Sequence, residues 1–342
     1  MSKPLQEFLS RLVRREDLTR EEATELLEAL LEEEATDAQI AGALSALTTK
    51  GETIEELAGL AFGLRSRAVK LSCRHHCFID TAGTGSSPAK TFNISTAAAF
   101  VIAAAGLPVA KHGNRAASSK SGSADVLTAL GVNVSALPAM SEAALNEIGI
   151  CFMFAPLYHG ATARVAGIRR QLGVHTSFNL LGPLSNPAGA PRQIIGVWNK
   201  DLTHRLAQVL TLLGTERAWV VHGEDGLDEI TLTGKTFIAE TKRGAVREFV
   251  IEPEEFGLQR GSLDHLRGGD AEANAKVIRE VFAGTRKDEA RALVIMTAAA
   301  ALVIGDITDS LSTAAKLAAR AIDTGAAWEK LELLCVATRS EQ

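Results

Sequence analysis

Cysteine is scarce in this sequence, with four residues among 342. That count excludes a disulfide scaffold and points to a reducing compartment. Long hydrophobic runs are missing as well: the longest, 96–105 and 293–304, are rich in alanine and too short to span a bilayer. The first residues, MSKPLQEFLSRLVRRED, are amphipathic and charged, without the apolar core of an export signal. The expectation is a cytoplasmic protein with no membrane partner. No Ser/Gly-rich linker, internal repeat or low-complexity tract interrupts the chain. Apolar residues at 46% and charged residues at 23% exclude disorder and collagen. The length suits two domains, or one large one.

A further scarcity is local. Residues 81–200 hold nine Lys/Arg but only three acids, Asp125, Glu142 and Glu147, for a net +6. The flanks carry net −5 over residues 1–80 and −6 over 201–342, so the whole chain is at −5. A basic middle in an acidic protein marks a local anion site rather than a sticky polyanion-binding surface.

What is present first is helix. Leu5, Phe8, Leu9 and Leu12 recur at helical spacing. Thr19 with Glu22 forms a capping box opening a helix to about Glu33, and Thr36 or Asp37 opens another through Leu47. Thr53 with Glu56 opens a helix running to about Val69. These helices make a small bundle, with a core on one side and a possible subunit contact on the other.

From residue 76 short apolar strands alternate with helices. Strands are expected at His76–Asp80, Pro108–Lys111, Ile150–Phe154, Gln193–Val197 and Arg217–His222. Helices are expected at Ser95–Ala105, Ser123–Leu130, Ser141–Ile148 and Leu202–Leu213. This alternation predicts a mainly parallel sheet flanked by helices. Residues 231–251 read as antiparallel ribbon, and the chain ends in helices at 271–282, 287–303, 309–323 and 326–337. Residues 162–190 read as a helix and then a loop, Asn179–Pro187, folding back onto the bundle. The expected fold class is α/β: a small all-helical domain (1–72, with 162–190) plus a large α/β domain (73–161 and 191–342).

Five segments carry possible chemistry. Cys73, His75, His76 and Cys77 could ligate zinc, but their crowding suits a tetrahedron poorly, and they read as the lead-in to a strand. After the strand ending at Asp80, Gly83-Thr84-Gly85-Ser86-Ser87 precedes a helix near Ser95, the order that cradles phosphate with backbone amides. It is neither a P-loop nor G-x-G-x-x-G. Residues 111–123 bring three cations, four serines and two glycines into thirteen positions, and ordering such a loop calls for an anion. Among Arg164, Arg169 and Arg170, one could face a substrate carboxylate bidentately. Glu224, Asp225, Asp228 and Glu229 place four acids in six residues, which suits a hard cation such as Mg2+.

Together these segments resemble the anthranilate phosphoribosyltransferase family, of the nucleoside phosphorylase/phosphoribosyltransferase fold. The family patterns G-T-G-G-D-x4-F-N-I-S-T, K-H-G-N-R-x-x-S-S, A-P-x-x-H, V-R-x-x-L-G, F-N-x-L-G-P-L-x-N-P and D-G-x-D-E stand here at Gly83–Thr96, Lys111–Ser119, Ala155–His159, Ile168–Gly173, Phe178–Pro187 and Asp225–Glu229. Their order and spacing match over nearly the whole chain. The resemblance implies transfer of a phosphoribosyl group from 5-phosphoribosyl diphosphate (PRPP) to anthranilate in tryptophan biosynthesis.

It also implies site residues. Gly83, Thr84, Gly85, Ser86, Ser87, Thr91, Asn93, Ser95, Thr96, Lys111, Asn114, Arg115, Ser118 and Ser119 would bind PRPP. Gly83, His112, Asn114, His159, Arg169 and Pro183 would line the anthranilate path, with Asn114, Arg169 and Lys111 as the catalytic set. Mg2+ would be held by Ser95, Asp228 and Glu229. A homodimer through the helical domain is expected from the resemblance alone.

The sequence departs from the family at three places. Gly-Asp becomes Ser86-Ser87, which predicts altered PRPP affinity or Mg2+ dependence. H-P-A-M becomes His159-Gly-Ala-Thr162, and R-T-x-F-N becomes His175-Thr-Ser-Phe-Asn179, both near the expected acceptor path. They leave room for another small aromatic acceptor. A non-catalytic nucleic-acid binder is disfavoured by the retained Asp228–Glu229, the complete K-H-G-N-R and the acidic remainder of the chain.

Overall fold

The structure is a computed structural model, described for residues 4–85, 91–116, 120–264 and 266–339. Four helices open the chain: α1 (Leu5–Val13), α2 (Arg20–Leu31), α3 (Asp37–Lys50) and α4 (Ile54–Arg67). Capping boxes start α2 at Thr19–Glu22, α3 at Thr36–Gln39 and α4 at Thr53–Glu56. Glu56 does more than cap. It is fully buried and accepts from the Leu18 and Thr53 amides at 2.9 and 2.7 Å and from Lys50 at 2.8 Å. One carboxylate thereby ties the α1–α2 connection to the start of α4.

The alternating region follows as β1 (Ile79–Gly83), α5 (Ile94–Ala104), β2 (Val109–Gly113), α6 (Ser123–Ala129), α7 (Pro138–Ile148), β3 (Ile150–Phe154), α8 (Ala155–Tyr158), α9 (Ala163–Leu172), α10 (Ser177–Leu184), β4 (Arg192–Gly196), α11 (Asp201–Leu212) and β5 (Arg217–Gly223). Strands β6 (Thr236–Lys242) and β7 (Ala245–Ile251) precede α12 (Ala271–Phe282), α13 (Glu289–Ile304), α14 (Leu311–Asp323) and α15 (Ala326–Ala337).

The sheet runs β3-β2-β1-β4-β5-β6-β7. Its first five strands are parallel, and β6 and β7 are antiparallel additions. The chain builds outward from β1 to β3, then returns to the other side of β1 with β4. The β1–β4 boundary is therefore a topological switch point, where open α/β sheets leave a crevice at the strand C-termini.

Alternating side chains send the two sheet faces into two cores. Ile79, Val109, Ile194, Trp219 and Val221 join α5, α7 and α12–α15 on one face. Ile195, Val197, Ala218, Val220 and Ala239 join α11 on the other, in one cluster with α1–α4. Val165, Ile168, Phe178, Leu180, Leu181 and Leu184, from α9 and α10, belong to that second cluster. Arg65 of α4 reinforces the contact: its Nε donates to Leu184 O at 2.6 Å at the end of α10.

Several expected boundaries move. The first strand begins at Ile79 and continues through Gly83 rather than ending at Asp80. The preceding Cys73–Cys77 stretch lies along α7, with Arg74 N donating to Asn146 Oδ1 at 2.7 Å and His75 Nε2 3.1 Å from Leu145 O. The antiparallel ribbon starts at Thr236, not 231. The expected loop at Asn179–Pro187 is helical through Leu184. The Asn179 side chain accepts from Thr176 N at 3.0 Å and closes a capping box that opens this helix. Pro183 lies inside this short helix, where it supplies no backbone N–H to the preceding turn.

Candidate active site

A cavity of about 410 Å3 opens at the switch point, over the C-terminal ends of β1 and β2 and beside α9 and α10. Its lining includes Gly83, Thr84, Gly85, Thr91, Asn93, Ser95, Thr96, Lys111, His112, Asn114, Arg115, His159, Arg169, Pro183, Asp228 and Glu229. The fold thus brings every described site residue that the resemblance implies to one place, from six separate stretches of chain, while Glu224 and Asp225 do not line it. Ser86, Ser87, Ser118 and Ser119 lie outside the described residues.

The floor is charged. Lys111 is 4% exposed, and its ammonium donates to the Thr81 backbone oxygen and, at 3.2 Å, to Thr81 Oγ1. Burial lowers its pKa, while the charges of Asp80 and Glu229 oppose that shift. Glu229 keeps some contact with the cavity but is otherwise surrounded by protein. Desolvation and the adjacent Asp228 charge raise its pKa, and Lys111 and Ser95 pull it back.

Ser95 donates to Glu229 from both its amide and its hydroxyl. This changes the expected role of the α5 N-terminus. Ile94 N is bonded to Phe92 O at 2.7 Å and Thr96 N to Asn93 O at 3.1 Å, so the first amides of α5 are already engaged. The helix end holds a carboxylate of the protein itself rather than presenting bare donors. Asn93 does not cap the helix with its side chain; its Oδ1 accepts from Asn274 at 3.0 Å.

The loop after β2 also differs from expectation, because Asp125 in the first turn of α6 supplies an anion to it. Asp125 Oδ2 accepts from Ala116 N at 3.0 Å and Gly122 N at 2.9 Å, and Oδ1 accepts from Arg115 at 2.9 Å. Gly122 must be glycine here: a Cβ would collide with the Ala116 amide and the Asn114 carbonyl. The loop is therefore ordered at its base without an external anion. Arg115 also lies 5.7 Å from the Phe154 ring centroid.

The opposite wall is built by α9 and α10. Of the three arginines, only Arg169 faces the cavity. Arg164 is exposed and bonds Asp37 at 2.7 Å, and Arg170 is exposed. Arg169 Nη2 donates to Asn179 Oδ1 at 3.1 Å, its guanidinium stands 5.5 Å from the Phe178 ring, and burial lowers its pKa. Thr162, Phe178 and Asn179, which the sequence placed in motifs near the acceptor path without a role, line the cavity, as does Ser185, which it did not single out. Phe178 and Asn179 open the F-N-x-L-G-P stretch. Gly160 and His175 do not line the cavity; His175 is exposed and packs 5.1 Å from Trp198.

His112 and His159 complete the wall, with ring centroids 5.2 Å apart in an edge arrangement. His112 Nδ1 is 3.2 Å from Gly182 O. Burial pushes His112 down to about 3, helped by His159, and burial pushes His159 to about 4. Both rings are neutral at pH 7. Among the described residues, His112 Nε2, Arg169 Nε and Thr96 Oγ1 are buried without hydrogen-bond partners. Orphaned polar atoms of this kind, gathered around one cavity, mark a site prepared for a polar ligand.

A Mg2+ ion fits the chemistry of the floor. Asp228 and Glu229 are adjacent carboxylates whose mutual repulsion a divalent cation would relieve, and Ser95 adds a hydroxyl oxygen. Among the described residues no group of three or more His, Cys, Asp or Glu side chains is arranged for a metal. Substrate oxygens or water would therefore complete the shell, as is usual for Mg2+ beside phosphates.

Comparisons with known proteins agree with this geometry. The helical bundle domain of a glycosyl transferase family matches residues 6–68, and the a/b domain of the glycosyl transferase family matches residues 75–328. The anthranilate phosphoribosyltransferase of Moorella thermoacetica is 49% identical over 326 residues, covering 95% of this chain and 96% of the relative. That of Anaeromyxobacter dehalogenans is 50% identical over 334 residues, covering 98% of each. The crystal structure of the Thermus thermophilus enzyme superimposes with a TM-score of 0.91 at 39% identity, over 97% of this chain and 99% of that one. The Saccharomyces cerevisiae enzyme, in complex with PRPP and Mg, gives 0.89 at 25% identity, over 98% and 97%. With the cavity, the sheet order and the motifs in agreement over nearly its full length, the chain belongs to the anthranilate phosphoribosyltransferase family.

Proposed function

We infer that the chain transfers the 5-phosphoribosyl group of PRPP to the amine of anthranilate, giving N-(5-phosphoribosyl)anthranilate and diphosphate, in tryptophan biosynthesis. The observation that carries this reading is one cavity with two chemically distinct ends: Lys111, Asp228 and Glu229 on the floor, and Arg169 on the opposite wall. A phosphorylated donor with its metal suits the first end. A planar carboxylate acceptor suits the second.

The aromatic amine is a weak nucleophile, but it is neutral at pH 7. Its nitrogen attacks the anomeric carbon as the bond from that carbon to the diphosphate oxygen breaks. The amine then gives up a proton to the diphosphate or to water. No strong base is needed, in keeping with imidazoles held near 3 and 4. What the protein must supply is stabilisation of the departing charge and alignment of the two reactants.

In this reading Gly83–Gly85, Thr91, Asn93, Ser95, Thr96 and Arg115 surround PRPP, and Lys111 supplies fixed positive charge beside the diphosphate. Asn114 orients the amine. Arg169 takes the carboxylate, with His112, His159 and Pro183 packing the ring. Mg2+ held by Ser95, Asp228 and Glu229 would neutralise diphosphate charge. We also propose a cytoplasmic homodimer through the helical unit formed by 1–72 and 162–190, on which Phe62 and Val13 are 58% and 67% exposed.

The test is loss of anthranilate fluorescence when protein, PRPP, Mg2+ and anthranilate are mixed. Turnover is expected. PRPP binding without turnover would redirect the assignment to another small aromatic acceptor, a reading to which Thr162 at the cavity wall contributes. Loss of both would favour a non-catalytic relative.

A further inference from the structure

Asp80 has no direct part in the transfer, yet it is a fully buried carboxylate three residues before Gly83. Its Oδ1 accepts from the His112 backbone amide at 3.1 Å, and its Oδ2 accepts from the Asn186 side-chain amide at 2.8 Å. Asn186 is 2% exposed; its Nδ2 also donates to Ala110 O at 2.9 Å, and its Oδ1 accepts from Ala188 N at 2.9 Å.

Three stretches of chain therefore meet at one carboxylate. β1 leads on to Gly83–Gly85. β2 delivers Lys111 and His112. The segment after α10 follows directly from Gly182, Pro183 and Ser185. In the reading above, Gly83–Gly85 and Lys111 belong to the phosphoribosyl half of the cavity, while His112 of β2 and the segment after α10 belong to the acceptor wall. A buried carboxylate is a costly way to join segments unless its directionality is used, since an apolar contact would avoid the desolvation. Charge-assisted bonds provide that directionality. Burial raises the Asp80 pKa to about 6, against the opposing charge of Lys111 and the bonds from Asn186 and His112, so it is ionised at neutral pH.

We propose that Asp80 and Asn186 act as a positioning pair that holds the acceptor wall in register with the phosphoribosyl half, so that the acceptor amine meets the anomeric carbon in line. The proposal rests on the transfer assigned above. A purely structural hydrogen bond would, when lost, weaken both substrates alike. A positioning pair affects the acceptor step selectively.

The experiment compares wild type, Asp80→Asn, Asn186→Ala and the double variant. PRPP affinity is measured by calorimetry with Mg2+ and no acceptor, and kcat/KM for anthranilate is measured at saturating PRPP. The expected result is PRPP affinity within about threefold of wild type in Asn186→Ala, which keeps the Asp80 charge beside Lys111, with kcat/KM for anthranilate down about ten- to a hundredfold in each single variant. The double variant should be no worse than the poorer single variant, within about threefold, as for residues acting as a unit. Additive losses, parallel losses of PRPP affinity and kcat/KM in Asn186→Ala, or no loss overturn the pair. If Asp80→Asn does not fold, Asn186→Ala and Asn186→Ser carry the test on the same selective-against-parallel criterion. A wild type without turnover overturns the transfer and the pair together; turnover in wild type with additive losses overturns the pair alone.

Discussion

Gly196, the last residue of β4, lies directly against the backbone carbonyl of Asp228, and a methyl group at position 196 would overlap that oxygen. The same glycine's own carbonyl accepts from Thr84 N at 2.9 Å and Thr84 Oγ1 at 3.1 Å. A single position thus spaces the loop after β1 from the loop that carries the acidic pair. Gly196→Ala is expected to push the Asp228–Glu229 backbone outward, at a cost of about 1–3 kcal/mol for overpacking. Activity should fall at least about tenfold, and the Mg2+ concentration for half-maximal rate should rise, because the carboxylates leave their place opposite Ser95. A Mg2+ titration of initial rates checks this; an unchanged half-saturation point would contradict the spacing role.

Arg169 should control the acceptor without touching the donor. Its partners are Asn179 and the Phe178 face, and its Nε is buried without a partner among the described residues. Lysine replaces a planar fork with a point charge and cannot reproduce bidentate carboxylate binding. Arg169→Lys is expected to raise KM for anthranilate about ten- to a hundredfold, corresponding to roughly 1.5–3 kcal/mol for a charged hydrogen bond. PRPP affinity should stay within about threefold. Arg170→Ala, on the exposed side of the same helix, should leave both constants unchanged. Equal effects of the two substitutions would remove Arg169 from the acceptor wall.

How much of this was legible beforehand depended on how local each signal is. Capping boxes such as Thr19–Glu22 are closed within one turn, and the strand–helix alternation is written in short apolar runs, so the element order was readable. The family motifs also fall on the strand ends that bound the cavity. The α10 helix was hidden because Gly182 and Pro183 mimic a loop. Which arginine turns inward was also unreadable, since Arg164 is drawn away by Asp37, 127 positions earlier in the chain. Asp80 looked like the end of a strand; its bond to Asn186 spans 106 positions and exists only after the switch point forms. Asp125 was visible as a lone acid in a basic stretch, but its hold on two backbone amides was not.

That hold makes a third prediction. Burial works against ionisation of Asp125, yet the Ala116 and Gly122 amides and Arg115 prevail and keep its pKa below the usual carboxylate range. Asp125→Ala should release the loop that carries Asn114 and Arg115, weakening PRPP binding about tenfold, with roughly 0.5–2 kcal/mol of stability lost as for other carboxylate caps. Asp125→Asn keeps one acceptor oxygen and should fall between. Because the folded pKa is depressed, this contribution is present above the ordinary carboxylate pKa and is lost as pH falls through the folded value. Calorimetric PRPP titration with parallel melting curves tests both parts; tighter PRPP binding on removal of the carboxylate would show that Asp125 competes with the phosphates instead of ordering their loop.

The histidine pair gives the protein a distinct acid response. Each ring binds a proton near 6.5 when unfolded, but His112 does so only near 3 and His159 only near 4 when folded. Between those limits the unfolded chain carries extra protons, so each histidine lowers stability as pH falls from about 6.5, at about 1.4 kcal/mol per pH unit when fully expressed. Asp80 acts in the opposite sense. Its folded pKa of about 6 lies above the unfolded value of 3.8, so its contribution is greatest at low pH and is lost as pH rises through 6. Below pH 6 it offsets one of the two histidines. Urea unfolding of wild type between pH 6 and 4.5 should therefore show a loss close to that of one proton per molecule from this trio. His112→Gln removes one histidine, leaving His159 and Asp80 nearly balanced, and its stability relative to wild type should rise steadily on acidification through that range. Parallel stability–pH curves for the two proteins would mean that the His112 ring takes up its proton as readily folded as unfolded, and the neutral, ring-packing role assigned to it at pH 7 would have to be abandoned.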